Sequence, residues 1–178
     1  MLIGLMVLVL TFGSYAEPAP QAGAFPIPGH GSLRFDVPNG WQAVSQPLQD
    51  PASLTLHFKP KNGNAFEIQV TTVWLDSEKL AKVTSVSLKE NLQQAANGVL
   101  ERSVEKTATI QEMRGAHSIG HYYSLTDRSP GPGEFTYLTQ GSFLTGEVLS
   151  VVTILHRTPA EPEVARALRL FAGATYAK

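Results

Sequence analysis

The 178 residues carry a net charge of −1, with 43% hydrophobic and 16% charged side chains and no cysteine. That balance can bury a core, but its scattered Lys and Arg leave no basic footprint for nucleic acid or an anionic membrane surface. The missing cysteine excludes disulfides, thiolate metal sites, a cysteine nucleophile and a lipidated N-terminal cysteine, so the fold depends on packing alone.

Residues 1–16, MLIGLMVLVLTFGSYA, read as a secretory signal. The apolar stretch from Leu2 to Phe12 is shorter than the roughly 20 residues of a spanning helix. Ser14 and Ala16 place small residues where a signal peptidase cuts, although no Lys or Arg precedes the apolar run. Cleavage there leaves a chain starting at Glu17 with no integral membrane span. Export without cysteine suits a bacterial periplasm better than a disulfide-stapled extracellular setting. Residues 17–31 hold four prolines among small residues and read as a flexible leader, so the expected domain is 32–178.

From Ser32, Leu33, Phe35 and Val37 alternate with polar residues, the period of a half-buried strand. Pro38, Asn39 and Gly40 turn the chain. Leu54, Leu56 and Phe58 then form a second run, and Phe66, Ile68, Val70, Thr72 and Trp74 a third, with Asn62-Gly63 between them as a hairpin signal. The first half therefore reads as an antiparallel meander.

Asp76 stands as an N-cap for a helix over 77–97, whose stripe Ala81, Leu88, Leu92, Ala95 and Val99 packs on a sheet. Val83 and Val86 lie off that stripe. A mixed strand follows over 104–113, then alternation at Ile119, His121, Tyr123 and Leu125, and again at Phe135 and Tyr137. EVLSVVTILH, residues 147–156, is apolar on both faces and is expected in the sheet centre, covered on both sides. Thr158, Pro159 and Glu161 resemble a capping box with Pro at the first helical position, opening a helix through Val164, Leu168 and Phe171 that ends near Gly173.

No motif for chemistry emerges. His117 and His121 would share a metal on a helix, but four residues along a strand place them ~13 Å apart. No G-x-S-x-G and no phosphate-binding glycine loop occurs. A Ser-His-Asp set assembled only in space stays open, because sequence spacing does not determine it. No catalytic residue, cofactor or metal site is expected.

The densest group of candidate functional side chains is SLTDRSPGPGEFTYLTQG, residues 124–141. Its Pro-Gly steps suit a hairpin corner, with Asp127 or Glu134 facing Arg128 as a surface pair. With Tyr122, Tyr123, Phe135 and Tyr137 nearby, the corner is the expected partner-binding surface, since aromatics and Arg supply interface anchors.

The order SLRFDVPNGW, a helix LKENLQQAANGVLERSVEK, then GHYYSLTDRSPGPGEFTYLTQGSF and EVLSVVTILH before a terminal helix resembles the PsbP-like superfamily over residues 32–176. That group includes extrinsic photosystem II subunits, a Ran-binding import factor and periplasmic DcrB-type proteins. The resemblance implies an α+β fold, with an antiparallel sheet of about six strands between helices as an α/β/α sandwich, and a non-enzymatic role in assembly or binding. DcrB-type members are commonly lipoproteins, and this chain has no cysteine to acylate. The expected function is an exported accessory protein of the envelope that engages a protein partner or envelope component. A carrier of a small apolar ligand between sheet and helix is the alternative, with a hydrolase third.

Overall fold

The alternating apolar runs become strands, and in chain order the elements are β1 (Gln21–Pro26), β2 (Ser32–Val37), β3 (Trp41–Pro47), β4 (Ser53–Pro60), β5 (Phe66–Trp74), α1 (Ser77–Leu80), α2 (Ser85–Val99), β6 (Gln111–Arg114), β7 (Ser118–Thr126), β8 (Tyr137–Thr145), β9 (Val148–His156), α3 (Pro162–Ala172) and β10 (Thr175–Ala177). They are seen in a computed structural model that describes residues 21–47, 50, 52–159 and 162–178. The proposed signal, residues 1–16, lies outside the described residues. Among those described, no helix is long and apolar enough to cross a membrane.

Seven strands form one sheet in the order β3-β4-β5-β9-β8-β7-β6, every neighbouring pair antiparallel, and β1-β2-β10 form a second, three-stranded sheet. The expected sheet of about six strands is thus seven, with a small companion. Asn62-Gly63 does close the β4–β5 hairpin, with Gly63 at a φ of 76° that a residue with a Cβ rarely adopts. The first predicted strand, 32–37, forms but leaves the meander and pairs with β1 and β10 instead.

The leader expected over 17–31 is corrected over residues 21–31, while 17–20 lie outside the described residues. Residues 21–26 pair in register with β2, Gln21 opposite Val37 through Pro26 opposite Ser32. Phe25 and Ile27 are buried at 9% and 1% exposure, a period of two that the surrounding prolines hide from a reading by composition. Two other segments differ. Trp41–Pro47, read only as following a turn, is an edge strand, whereas the mixed strand over 104–113 shrinks to the four residues of β6.

One face of the large sheet is sealed by α3 and the small sheet. Phe35 meets Phe58 and Phe171 edge-on with ring centroids 5.9 Å apart in each case, and Phe143 stacks on Phe171 at 5.5 Å. Gly120 leaves room for the Phe143 ring, which lies where a Cβ would stand. Leu56, Ile68, Val70, Val152 and Ile154 complete this core, each such side chain stabilising the fold by ~1.5–3 kcal/mol. Trp41 joins α3 to the sheet edge by donating to Glu163 Oε2 at 2.9 Å.

The opposite face carries α2, which buries Leu92 and Ala96 against Tyr123 and Leu125 of β7. The single helix expected over 77–97 is broken. Asp76 caps α1 as expected, accepting from Lys79 N, but a second start follows where Thr84 accepts from Ser87 N while the Ser87 hydroxyl faces Thr84 N. Hydroxyl side chains compete with helix propagation and favour such restarts. Ala81 and Ala95 of the expected stripe are consequently exposed, and Leu88, Leu92 and Ala96 carry the packing.

β9 is the central strand of the seven, as its apolar run predicts, but only one of its faces is sealed. Val148, Val152 and Ile154 are at 0–1% exposure, whereas Val151 is at 44% because α2 does not extend across the sheet. At the C-terminal end, Pro162 rather than Pro159 is the first helical residue, Pro159 lies in a turn, and Glu161 of the expected capping box lies outside the described residues. The architecture remains layered, with α2 on one side of the sheet and α3 with the small sheet on the other.

Candidate partner-binding site at the 127–136 corner

Residues 127–136 connect β7 to β8, whose register runs from Ser118 opposite Thr145 to Thr126 opposite Tyr137. The Pro-Gly steps therefore turn a hairpin, as expected. Asp127 N donates to Thr136 O at 2.8 Å across the neck, and Ser129 N donates to Asp127 Oδ1 at 2.9 Å. At the tip, Gly133 takes a φ of 83°, and Glu134 Oε2 accepts from Gly131 N at 2.8 Å.

Two arginines hold this corner, one on each side. Arg128 Nη2 donates to Ser103 O at 2.7 Å, and its amide donates to Arg102 O at 2.9 Å, which ties the loop to the segment after α2. Arg157, just beyond β9, reaches Gly133 O at 2.8 Å, Glu134 O at 3.0 Å and Asn64 O at 3.1 Å, while its guanidinium sits 4.7 Å from the Phe135 ring centroid. The expected pairing of Arg128 with Asp127 or Glu134 is not formed. Both carboxylates satisfy loop amides instead, so the hairpin neck uses them internally.

Beside the loop lies an apolar depression of about 190 Å³. It is lined by Val99, Arg102, Leu125, Phe135, Leu138 and Leu155 among others. Glu105 lines a separate depression with Thr126, Thr139, His156 and Val164, and accepts from both Thr126 N (2.8 Å) and Thr126 Oγ1 (2.7 Å). Partial burial pushes its carboxyl up, but the two Thr126 bonds outweigh this and hold it below the usual carboxylate range.

The predicted aromatics divide. Phe135 and Tyr137 belong to the corner, with Tyr137 stacked on His156 at a centroid distance of 5.2 Å. Tyr122 lies four residues back along β7, roughly 13 Å away, and donates to Gln111 Oε1 at 2.8 Å. Tyr123 is a correction: at 0% exposure it sits beneath α2, donates to Gln140 Oε1, and has its phenol pKa pushed up by burial, so it faces no partner. Alternation along 119–125 marked it as inward-facing, and proximity in sequence to the loop was the misleading signal. Val99, Leu155 and Arg157 were missed, because they converge only through the sheet order.

Four of the five histidines sit in different settings. His117 is exposed and His121 is 4% exposed, His30 stacks on Trp74 at 3.9 Å, and His156 Nδ1 lies 2.8 Å from Thr158 O. Among the described residues no group of three or more His, Cys, Asp or Glu gathers to hold a metal. His121 Nε2 does lie 3.0 Å from Ser85 Oγ, a pairing no sequence motif announced.

No family model matches this sequence, and no curated protein does. Among solved structures, the solution structure of cyanobacterial PsbP (CyanoP) from Synechocystis sp. PCC 6803 superposes with a TM-score of 0.54 at 12% sequence identity, covering 95% of this chain and 99% of that one. The fold is PsbP-like.

Proposed function

We propose that this chain, on its PsbP-like fold, is an exported binding or assembly-accessory protein of the cell envelope, and that it engages a protein partner at the 127–136 corner by contact rather than by chemistry. The observation that carries this reading is the 190 Å³ apolar depression at the foot of that loop, lined by Phe135, Leu125, Leu138, Leu155 and Val99. A pocket of that size takes one apolar side chain, and anchors of this kind dominate interface energetics. The arginine bonds from both sides hold the loop in place before a partner arrives, which lowers the entropic cost of association.

The carrier reading is less well supported, because the cleft at the start of α2 and the depression at its end both open to solvent. A direct test places a photoreactive residue at Phe135 in one version of the full chain and at the exposed Gln69 in another, each expressed in the native envelope. A discrete adduct at 135 and none at 69 is expected. Equal labelling at both positions, or none at 135, overturns the reading.

A further inference from the structure

The other end of α2 carries a second arrangement, independent of the corner. A cleft of about 510 Å³ opens between the start of α2 and the β6–β7 edge, lined by Ser85, Val86, Lys89, Glu90, Ile110 and His121 among others. Ser85 is the first residue of α2 after its Thr84 cap, and its hydroxyl lies 3.0 Å from His121 Nε2. We propose that Ser85 and His121 form a nucleophile–base pair that hydrolyses small carboxylic esters in this cleft.

Three observations carry the assignment. First, the separation is that required for a histidine to take a serine proton, and the pair lines a cleft large enough for an acyl group and its leaving group. Second, the base is held in place. His121 is 4% exposed on a strand paired on both sides, opposite Glu112 of β6 and Ser142 of β8. Third, the amides of Ser85 and Val86 belong to the first turn of a fifteen-residue helix, where backbone N–H groups lack intrahelical acceptors. The next amide, Ser87 N, is taken by Thr84 Oγ1. Such donors beside the nucleophile stabilise a developing oxyanion. Glu90 and Glu112 line the same cleft, Glu112 paired with Arg114, and among the described residues neither bonds to His121, so the arrangement is a dyad.

The step balances with water alone. Ser85 Oγ attacks the ester carbonyl carbon as its proton passes to His121 Nε2. The bond to the leaving oxygen then breaks and that oxygen takes the proton, releasing an alcohol. Water attacks the acyl-Ser85 ester, His121 receives a proton from it and returns it to Ser85 Oγ, and a carboxylic acid leaves.

The test uses the full chain with p-nitrophenyl acetate as substrate and a fluorophosphonate as covalent probe, followed by peptide mapping. The expected result is a phosphonyl adduct on Ser85, with hydrolysis about a hundredfold or more lower in Ser85→Ala and in His121→Gln. Because His121 is buried and its replacement can disturb folding, Ser85→Ala decides the matter where His121→Gln loses its cooperative melt. An unlabelled Ser85 in the folded protein, or hydrolysis unchanged in Ser85→Ala, overturns the proposal. Neither result bears on the corner at 127–136, which contains neither residue.

Discussion

The two faces of the large sheet differ more than their sequences do. On β9, Val152 is at 1% exposure and its neighbour Val151 at 44%. The first meets a second sheet, α3 and interlocking phenyl rings; the second meets solvent beyond the reach of α2. A strand can be apolar on both faces and still be sealed on one, because burial depends on what packs against each face. The less covered side is also where both sites lie, one at each end of α2.

Four substitutions test that contrast. The largest effect is expected from Val152→Asp, which puts a charge among the sealed residues at a cost greater than the several kcal/mol of a typical domain's stability. Loss of the cooperative thermal transition is the expected readout, and a soluble, cooperatively melting variant would refute this topology. Leu92→Ala removes the centre of the α2 contact and should cost ~2–5 kcal/mol in denaturant unfolding. A cost under about 1 kcal/mol would mean that α2 rests on the sheet without anchoring to it.

Next comes Glu105→Gln, which separates charge from packing at the end of β7. The folded pKa of Glu105 lies below its unfolded value, so its contribution is fully present above the unfolded value and is lost as pH falls through the folded one. That window lies below about pH 4.5. Urea midpoints measured from pH 7 to pH 3 should fall more steeply for the parent than for Glu105→Gln, and identical acid limbs would contradict the assignment. The smallest effect belongs to Val151→Asp, adjacent to the most damaging site yet expected to change stability by about 0.5 kcal/mol or less. A loss comparable to that of Val152→Asp would show the outer face to be covered after all.

Much of this was legible in the sequence where the signal is local. Alternation identified β2, β4, β5, β7 and the central position of β9, and Asp76 was recognisable as a cap because its carboxylate serves an amide three residues on. The hairpin nature of 127–136 was equally readable from its Pro-Gly steps. The leader misled because proline content outweighed the Phe25–Ile27 alternation, and the long helix misled because Ser and Thr hydroxyls, not hydrophobic spacing, decide where a helix restarts. At the corner, Phe135 and Tyr137 were found from sequence, but the pocket between them and Leu155, and the Arg157 contacts that hold it, join residues from separate strands.

The sequence by itself determined which segments form strands and helices and which face of most of them is apolar, since period and capping act over a few residues. Only the tertiary structure decided that β1 and β10 clasp β2 into a second sheet, that α2 covers one end of the outer face, and that Ser85 meets His121 across 36 positions. These depend on strand order and on the reach of each covering element, quantities that no short stretch of chain encodes.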